Sequence, residues 1–160
     1  MILKKIILNN IRSYKNQEIR FPEGSTLLSG DIGSGKTSIL LGVEFALFGL
    51  QPGQKGSSLL RNGEKDGGVT INFDVDGREI IVERTLKRGK TVAQDYCTIT
   101  IDGEKREFSV TELKDKVLEI KDISPNHFVK SSPITFTVKT NMLSLCQYSL
   151  SQSYSSPVNF

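Results

Sequence analysis

Apolar positions along the chain follow two periods, and the boundary between them separates two kinds of structure. Residues 2–9 are dense in β-favouring side chains, with Ile2, Leu3, Ile6, Ile7 and Leu8, and predict a first strand. A short polar link with Asn10, Arg12, Ser13 and Tyr14 leads to a second strand over 17–21, and Pro22, Glu23 and Gly24 make a turn. Ser25, Thr26, Leu27, Leu28 and Ser29 predict a third strand. From Lys36 the run Ile39, Leu40, Leu41, Val43, Phe45, Ala46, Leu47, Phe48 is apolar on all sides and predicts a buried helix. Residues 49–68, rich in glycine, serine and charge, sustain no period and predict an exposed loop.

The pattern then becomes strictly alternating. Ile71, Phe73 and Val75 face one way and Asn72 and Asp74 the other, Asp76-Gly77 closes a two-residue hairpin, and the return strand covers 79–86. Tyr96, Thr98 and Thr100 alternate against Cys97, Ile99 and Ile101, before Asp102-Gly103 and a strand over 105–110. These hairpins predict an antiparallel sheet beside the strand and helix of the first fifty residues. Thr111 is the expected N-cap of a helix over 112–121 with the stripe Leu113, Val117, Leu118, Ile120. Residues 1–138 read as one folded domain. In 139–160 Lys139 is the sole charged residue and serine is frequent, which predicts a loose tail.

Between the third strand and the helix lies the stretch that carries chemistry. Gly30, Asp31, Ile32, Gly33, Ser34, Gly35, Lys36 and Thr37 form a complete GxxxxGK(S/T) loop in the strand–loop–helix setting the motif requires. Its glycines allow backbone N–H groups to turn inward toward a polyphosphate, and the helix aims its N-terminus at the same anion. Lys36 supplies a mobile positive charge for the β- and γ-phosphates, and the Thr37 hydroxyl a ligand for Mg2+. The expected ligand is a nucleoside triphosphate with Mg2+.

Composition adds bounds. The 160 residues, 37% hydrophobic and 24% charged, suit one ordinary globular domain. A formal net charge of +3 permits a nucleic-acid partner without requiring one. Cys97 and Cys146 form no CxxC pair, so neither a disulfide framework nor a zinc site is expected, which fits a reducing cytoplasm. The N-terminus lacks a signal-peptide core and no apolar run reaches membrane-spanning length, so a soluble cytoplasmic protein is expected. Arg84, Lys87, Arg88 and Lys90 gather around Gly89 and are the best candidates for contact with a DNA backbone, although a solvated hairpin tip explains them equally well. His127 has no acidic or cysteine partner at ligand spacing and reads as structural, and Asp74 and Asp76 are explained by alternation and the turn.

Ile11-Arg12-Ser13-Tyr14 behind an N-terminal strand, Phe21, Glu23-Gly24, the phosphate loop and Thr37-Ser38-Ile39-Leu40 together resemble the start of an SMC-like ABC-type ATPase, most specifically in the pairing of Asn10-Ile11-Arg12-Ser13 with the loop. The resemblance is greatest to the SbcC-type double-strand-break repair ATPases that work with a partner nuclease. It implies an α/β fold, the N-terminal lobe of an ABC-type P-loop ATPase head. It also implies a C-terminal lobe elsewhere, dimerisation of heads around ATP, a nuclease partner, double-stranded DNA and a place at the nucleoid. Carried over, Asn10, Arg12 and Ser13 line the nucleotide, with Arg12 near its phosphates, and Gly33 to Ser38 hold the triphosphate and Mg2+. An SMC or RecF-like chromosome-maintenance ATPase, or an inactive fragment serving as a binding module, are the alternatives.

Two departures qualify the resemblance. Ile32 stands where the family commonly has Asn, and after Phe136-Thr137-Val138 the expected glutamine-bearing loop and heptads are replaced by Lys139-Thr140-Asn141-Met142 and the serine-rich tail. Gln147 and Gln152 lack the family's context. No Walker B pair, signature motif or switch histidine is recognisable, so no catalytic residue is assigned, and the chain alone is expected to bind ATP weakly and hydrolyse little. A shortened or frame-shifted gene product, or a genuine short paralogue, would explain such a break in composition.

Overall fold

The computed structural model describes residues 1–24 and 26–120, together with the backbone of a short strand at 138–139. The His127, Cys146, Gln147 and Gln152 readings, and the loose tail, lie outside the described residues.

Six strands form one antiparallel sheet in the order β2-β1-β4-β5-β6-β7. Its members are β1 (Ile2–Ile11), β2 (Tyr14–Arg20), β4 (Asp66–Val75), β5 (Arg78–Arg88), β6 (Val92–Ile101) and β7 (Glu104–Glu107). The first two strands thus join the later hairpins in a single sheet rather than standing beside them. The alternation seen in sequence is realised in register: Ile6 opposes Ile71, Ile71 opposes Val82 and Val82 opposes Ile99, a row of apolar side chains across four strands. Asp76-Gly77 and Asp102-Gly103 both take positive φ at both positions, 53° and 79° and 50° and 90°, the conformation of a two-residue hairpin turn.

The apolar face is covered by α1 (Lys36–Phe48) and α2 (Val110–Glu119), whose buried residues share one core with the sheet. Helix α1 lies close because Gly42 meets it without a side chain. A Cβ there would stand 2.7 Å from Leu8 Cδ2 and 3.3 Å from Ile6 Cδ1.

Several boundaries differ from expectation. Of the strand expected before the phosphate loop, the described residues show β3 (Leu28–Ser29), which pairs in parallel with β8 (Val138–Lys139). Residues 49–68 are not simply an exposed loop. A single 3-10 turn (Gly56–Ser58) leads to Leu59 and Leu60, 1% and 3% exposed, and Leu60 bridges Ile11. Helix α2 begins two residues early. Its cap is Ser109, whose hydroxyl accepts from the Glu112 N–H while the Glu112 carboxylate accepts from the Ser109 N–H, a capping box that leaves Thr111 inside the first turn.

Candidate nucleotide-binding site

The loop from Gly30 to Gly35 turns back on itself before α1 starts. Gly33 and Gly35 take φ of 85° and 94°, and the Ser34 N–H donates to the Asp31 carbonyl at 3.2 Å. Lys36, 8% exposed, folds across this ring. Its Nζ donates to the carbonyls of Gly30 at 2.7 Å and Asp31 at 2.6 Å and to Ser34 Oγ at 3.0 Å. At the helix N-terminus no side chain caps the first N–H groups and no acid sits in the first turn, so the partial positive charge of α1 faces the loop unopposed.

Facing the loop is the turn between β1 and β2. Arg12, Ser13, Ile32, Gly33, Gly35, Lys36, Thr37 and Ser38 line one cleft of about 490 Å3. That volume suits a small-molecule ligand. Its charged lining residues are Arg12 and Lys36, with no carboxylate among them, so the cleft is built for an anion. A second depression of about 450 Å3 on the sheet is bordered by Asp66, Glu83 and Asp95 against Lys87, a balance that disfavours phosphate.

The two walls touch at Gly35. A Cβ there would lie 2.7 Å from the Tyr14 hydroxyl oxygen and 3.0 Å from Ser13 Oγ, so only glycine lets the turn and the loop meet. Tyr14, part of the motif that carries the resemblance but given no role at the site, is half-buried at this contact, and burial pushes its phenol pKa up.

Of the residues expected to hold nucleotide, four do not line the cleft. Gly30, Asp31 and Ser34 instead hold Lys36, and the Asn10 side chain turns away to donate to the Asp66 carbonyl at 3.0 Å. Ile32 lines the cleft and is 78% exposed.

The expected DNA contacts separate further. Arg84 is 1% exposed and its guanidinium donates to the carbonyls of Ala46 and Leu47, so it is a core residue and cannot meet a DNA backbone. Arg88 donates through Nε to the Glu64 carbonyl at 2.7 Å and through Nη2 to that of Arg61 at 3.4 Å. Lys87 lies 3.8 Å from Asp95, and Lys90 is exposed. Asp74 serves its turn, its Oδ1 accepting from the Gly77 N–H. Cys97 is buried with Sγ 2.8 Å from the Phe108 carbonyl, and burial pushes its thiol pKa up.

A family model described as an AAA domain matches residues 5–153. The chain belongs to this family. Among curated proteins it is 32% identical over 131 residues to the DNA double-strand break repair Rad50 ATPase of Methanocaldococcus jannaschii, covering 82% of this chain and 13% of that protein. It is 32% identical over 117 residues to the protein of the same name from Thermoplasma acidophilum, covering 73% of this chain and 13% of that protein. The chain therefore spans about an eighth of the length of these relatives. Among solved structures, the recombination mediator protein RecF with ATP shares 27% identity at a TM-score of 0.56, over 70% of this chain and 29% of that one. The SMC head domain from Thermotoga maritima shares 25% identity at a TM-score of 0.53, over 72% and 42%. The fold is accordingly the N-terminal lobe of an SMC-like, ABC-type P-loop ATPase head. Among the described residues, no helix is long and apolar enough to cross a membrane.

Proposed function

We propose that this chain binds ATP and Mg2+ in the cleft between the Arg12-Ser13 turn and the phosphate loop, as the N-terminal lobe of a DNA double-strand-break repair ATPase head. The observation that carries this is the convergence of Arg12 and Ser13 with Gly33, Gly35, Lys36, Thr37 and Ser38 on one cleft that holds two cations and no acid. Lys36 Nζ, now held by loop carbonyls, has oxygen partners it can exchange for those of a phosphate. Arg12 adds a second charge from the opposite wall, the N–H groups at the start of α1 would donate to the phosphate oxygens, and the Thr37 hydroxyl would hold Mg2+. Bound Mg2+ would neutralise charge between adjacent phosphates.

Hydrolysis needs an oriented water and further charge stabilisation, which the described residues do not supply. A C-terminal lobe and a second head would bring them. In the repair reading, closure of two heads on ATP governs access of DNA ends and of a partner nuclease at the nucleoid, and of the four expected DNA contacts Lys90, exposed at the hairpin tip, is the one left to meet DNA. The likeness to the RecF and SMC structures supports the wider class of chromosome-maintenance ATPases, while the archaeal relatives favour the repair branch.

Titration with a fluorescent ATP analogue in the presence of Mg2+ tests the binding claim. Wild type binds saturably, and Lys36→Ala, which removes a charge-assisted contact, loses about 10- to 100-fold in affinity. Equal binding by the two would reject the site.

A further inference from the structure

Arg12 reaches the cleft from a backbone that a non-glycine residue rarely adopts. Asn10 and Arg12 have φ of 51° and 49°, so the left-handed region is occupied on both sides of Ile11. Such a turn persists only where its surroundings hold it there. The segment that holds it is 59–66, which carries no sequence period. The Arg12 N–H donates to the Leu59 carbonyl at 2.9 Å, the Arg61 N–H donates to the Asn10 carbonyl at 2.8 Å, and Ile11 bridges Leu60.

These backbone bonds and the Ile11–Tyr14 pair of the β1–β2 ladder bracket the turn. One side chain adds to the grip on its two central residues. Arg61 Nη1, which carries two N–H bonds, donates to the Arg12 carbonyl at 3.1 Å and to the Ser13 carbonyl at 2.7 Å. Among the described residues Arg61 makes no ion pair with a carboxylate, and it does not line the cleft. Its guanidinium is committed to the back of the turn whose front faces the ligand. Arg61 is held in its own place by Arg88, through the bond from Arg88 Nη2 to the Arg61 carbonyl and that from Nε to Glu64.

We infer that Arg61 is a positioning residue for Arg12: by bridging the Arg12 and Ser13 carbonyls it fixes the left-handed turn that presents Arg12 and Ser13 to the nucleotide phosphates. The inference rests on the nucleotide-binding reading of the cleft. It makes the 59–66 segment part of the site, and it makes Arg88, at the end of β5, an outer support for that segment rather than a DNA ligand. Movement of the turn would also withdraw Ser13 and Tyr14 from Gly35, so the phosphate loop would lose its neighbour along with Arg12. Lysine cannot replace Arg61 fully, because an ammonium on a flexible four-carbon stem is less pre-organised than the rigid guanidinium and loses more freedom for each bond it forms.

The test compares wild type with Arg61→Ala, Arg12→Ala and the double variant, using Mg2+ and a fluorescent ATP analogue, and follows backbone amide hydrogen exchange in the ligand-free protein. Arg61→Ala is expected to speed exchange of the Arg12 amide tenfold or more, leave the amides of Ile71 and Val82 in the sheet protected, and weaken analogue binding about tenfold. In the Arg12→Ala background, the same substitution is expected to change affinity by less than about twofold, since Arg61 acts through Arg12. An unchanged Arg12 amide, or full additivity in the double variant, would overturn the inference. Should Arg61→Ala unfold the sheet, Arg61→Lys carries the same comparison with a smaller loss. If wild type and Lys36→Ala bind the analogue equally, the nucleotide reading fails, while the exchange of the Arg12 amide still decides whether Arg61 holds the turn.

Discussion

Arg84 Nε, from the middle of β5, donates to the carbonyl of Ala46 near the end of α1 at 2.9 Å. Nη2 reaches the Leu47 carbonyl at 3.3 Å, and Nη1 approaches that of Val110 at 3.5 Å, so one buried arginine satisfies two of the last carbonyls of α1 and touches the start of α2. The helix whose other end forms the cleft is thereby tied to the sheet. Burial lowers the Arg84 pKa, with the neighbouring Cys97 thiol opposing that shift in smaller degree.

Removal of this side chain leaves buried carbonyls without partners and a void in the core. Arg84→Ala is expected to lose about 2–4 kcal/mol of stability, read from urea unfolding. A loss below about 0.5 kcal/mol, the range of ordinary surface substitutions, would mean that the arginine is not structural.

Gly35→Ala should act on binding more than on stability. It places a methyl group 2.7 Å from the Tyr14 hydroxyl oxygen on a residue whose φ is 94°. Analogue affinity is expected to fall at least tenfold, about 1.4 kcal/mol, with a melting transition that stays cooperative. Tyr14→Phe in the same chain should not restore it, because the ring carbon Cζ would still lie 2.9 Å from the new methyl group.

The two candidates for the α2 cap can be separated directly. Ser109→Ala is expected to cost about 1 kcal/mol, whereas Thr111→Ala should be near neutral. The hydrogen bonds from Ser109 hold the Glu112 carboxyl below its usual range. Its contribution is therefore present above the unfolded-state pKa and lost as pH falls through the lower folded-state value. Melting from neutral to acidic pH should show that loss in wild type and a smaller one in Ser109→Ala.

Glu44 on α1 behaves in the opposite sense. Partial burial raises its pKa, so its charge opposes folding at neutral pH and ceases to do so once both states are protonated. Glu44→Gln is expected to raise the melting temperature slightly at pH 7 and to leave it unchanged at acidic pH. A stabilisation that persists in acid would assign the effect to packing.

Local signals in the sequence were sufficient for the loop and the hairpins. The GxxxxGK(S/T) spacing fixes its own conformation, and Asp-Gly pairs between alternating strands can close only one kind of turn. Arg84 was misplaced because its charge outweighed its position: it stands in phase with Ile80, Val82 and Leu86, and the period of two assigned it to the core. The Ser109-Val110-Thr111-Glu112 capping box was equally visible in principle. Leu59, Leu60 and Arg61 gave no such signal, since their roles arise from a long-range meeting with the Asn10 to Ser13 turn that no local period encodes. The same is true of Tyr14, whose place is set by the absence of a side chain at Gly35.

The most direct measurement is a backbone amide NMR titration of the chain with Mg2+ and a non-hydrolysable ATP analogue. Occupation of the cleft predicts that the largest shifts fall on Gly33 to Ser38 together with Arg12 and Ser13, and that they vanish in Lys36→Ala. Shifts centred instead on Lys87, Asp95 and Tyr96 at the sheet depression, or no saturable shift at the loop, would contradict the assignment of this lobe as an ATP-binding one.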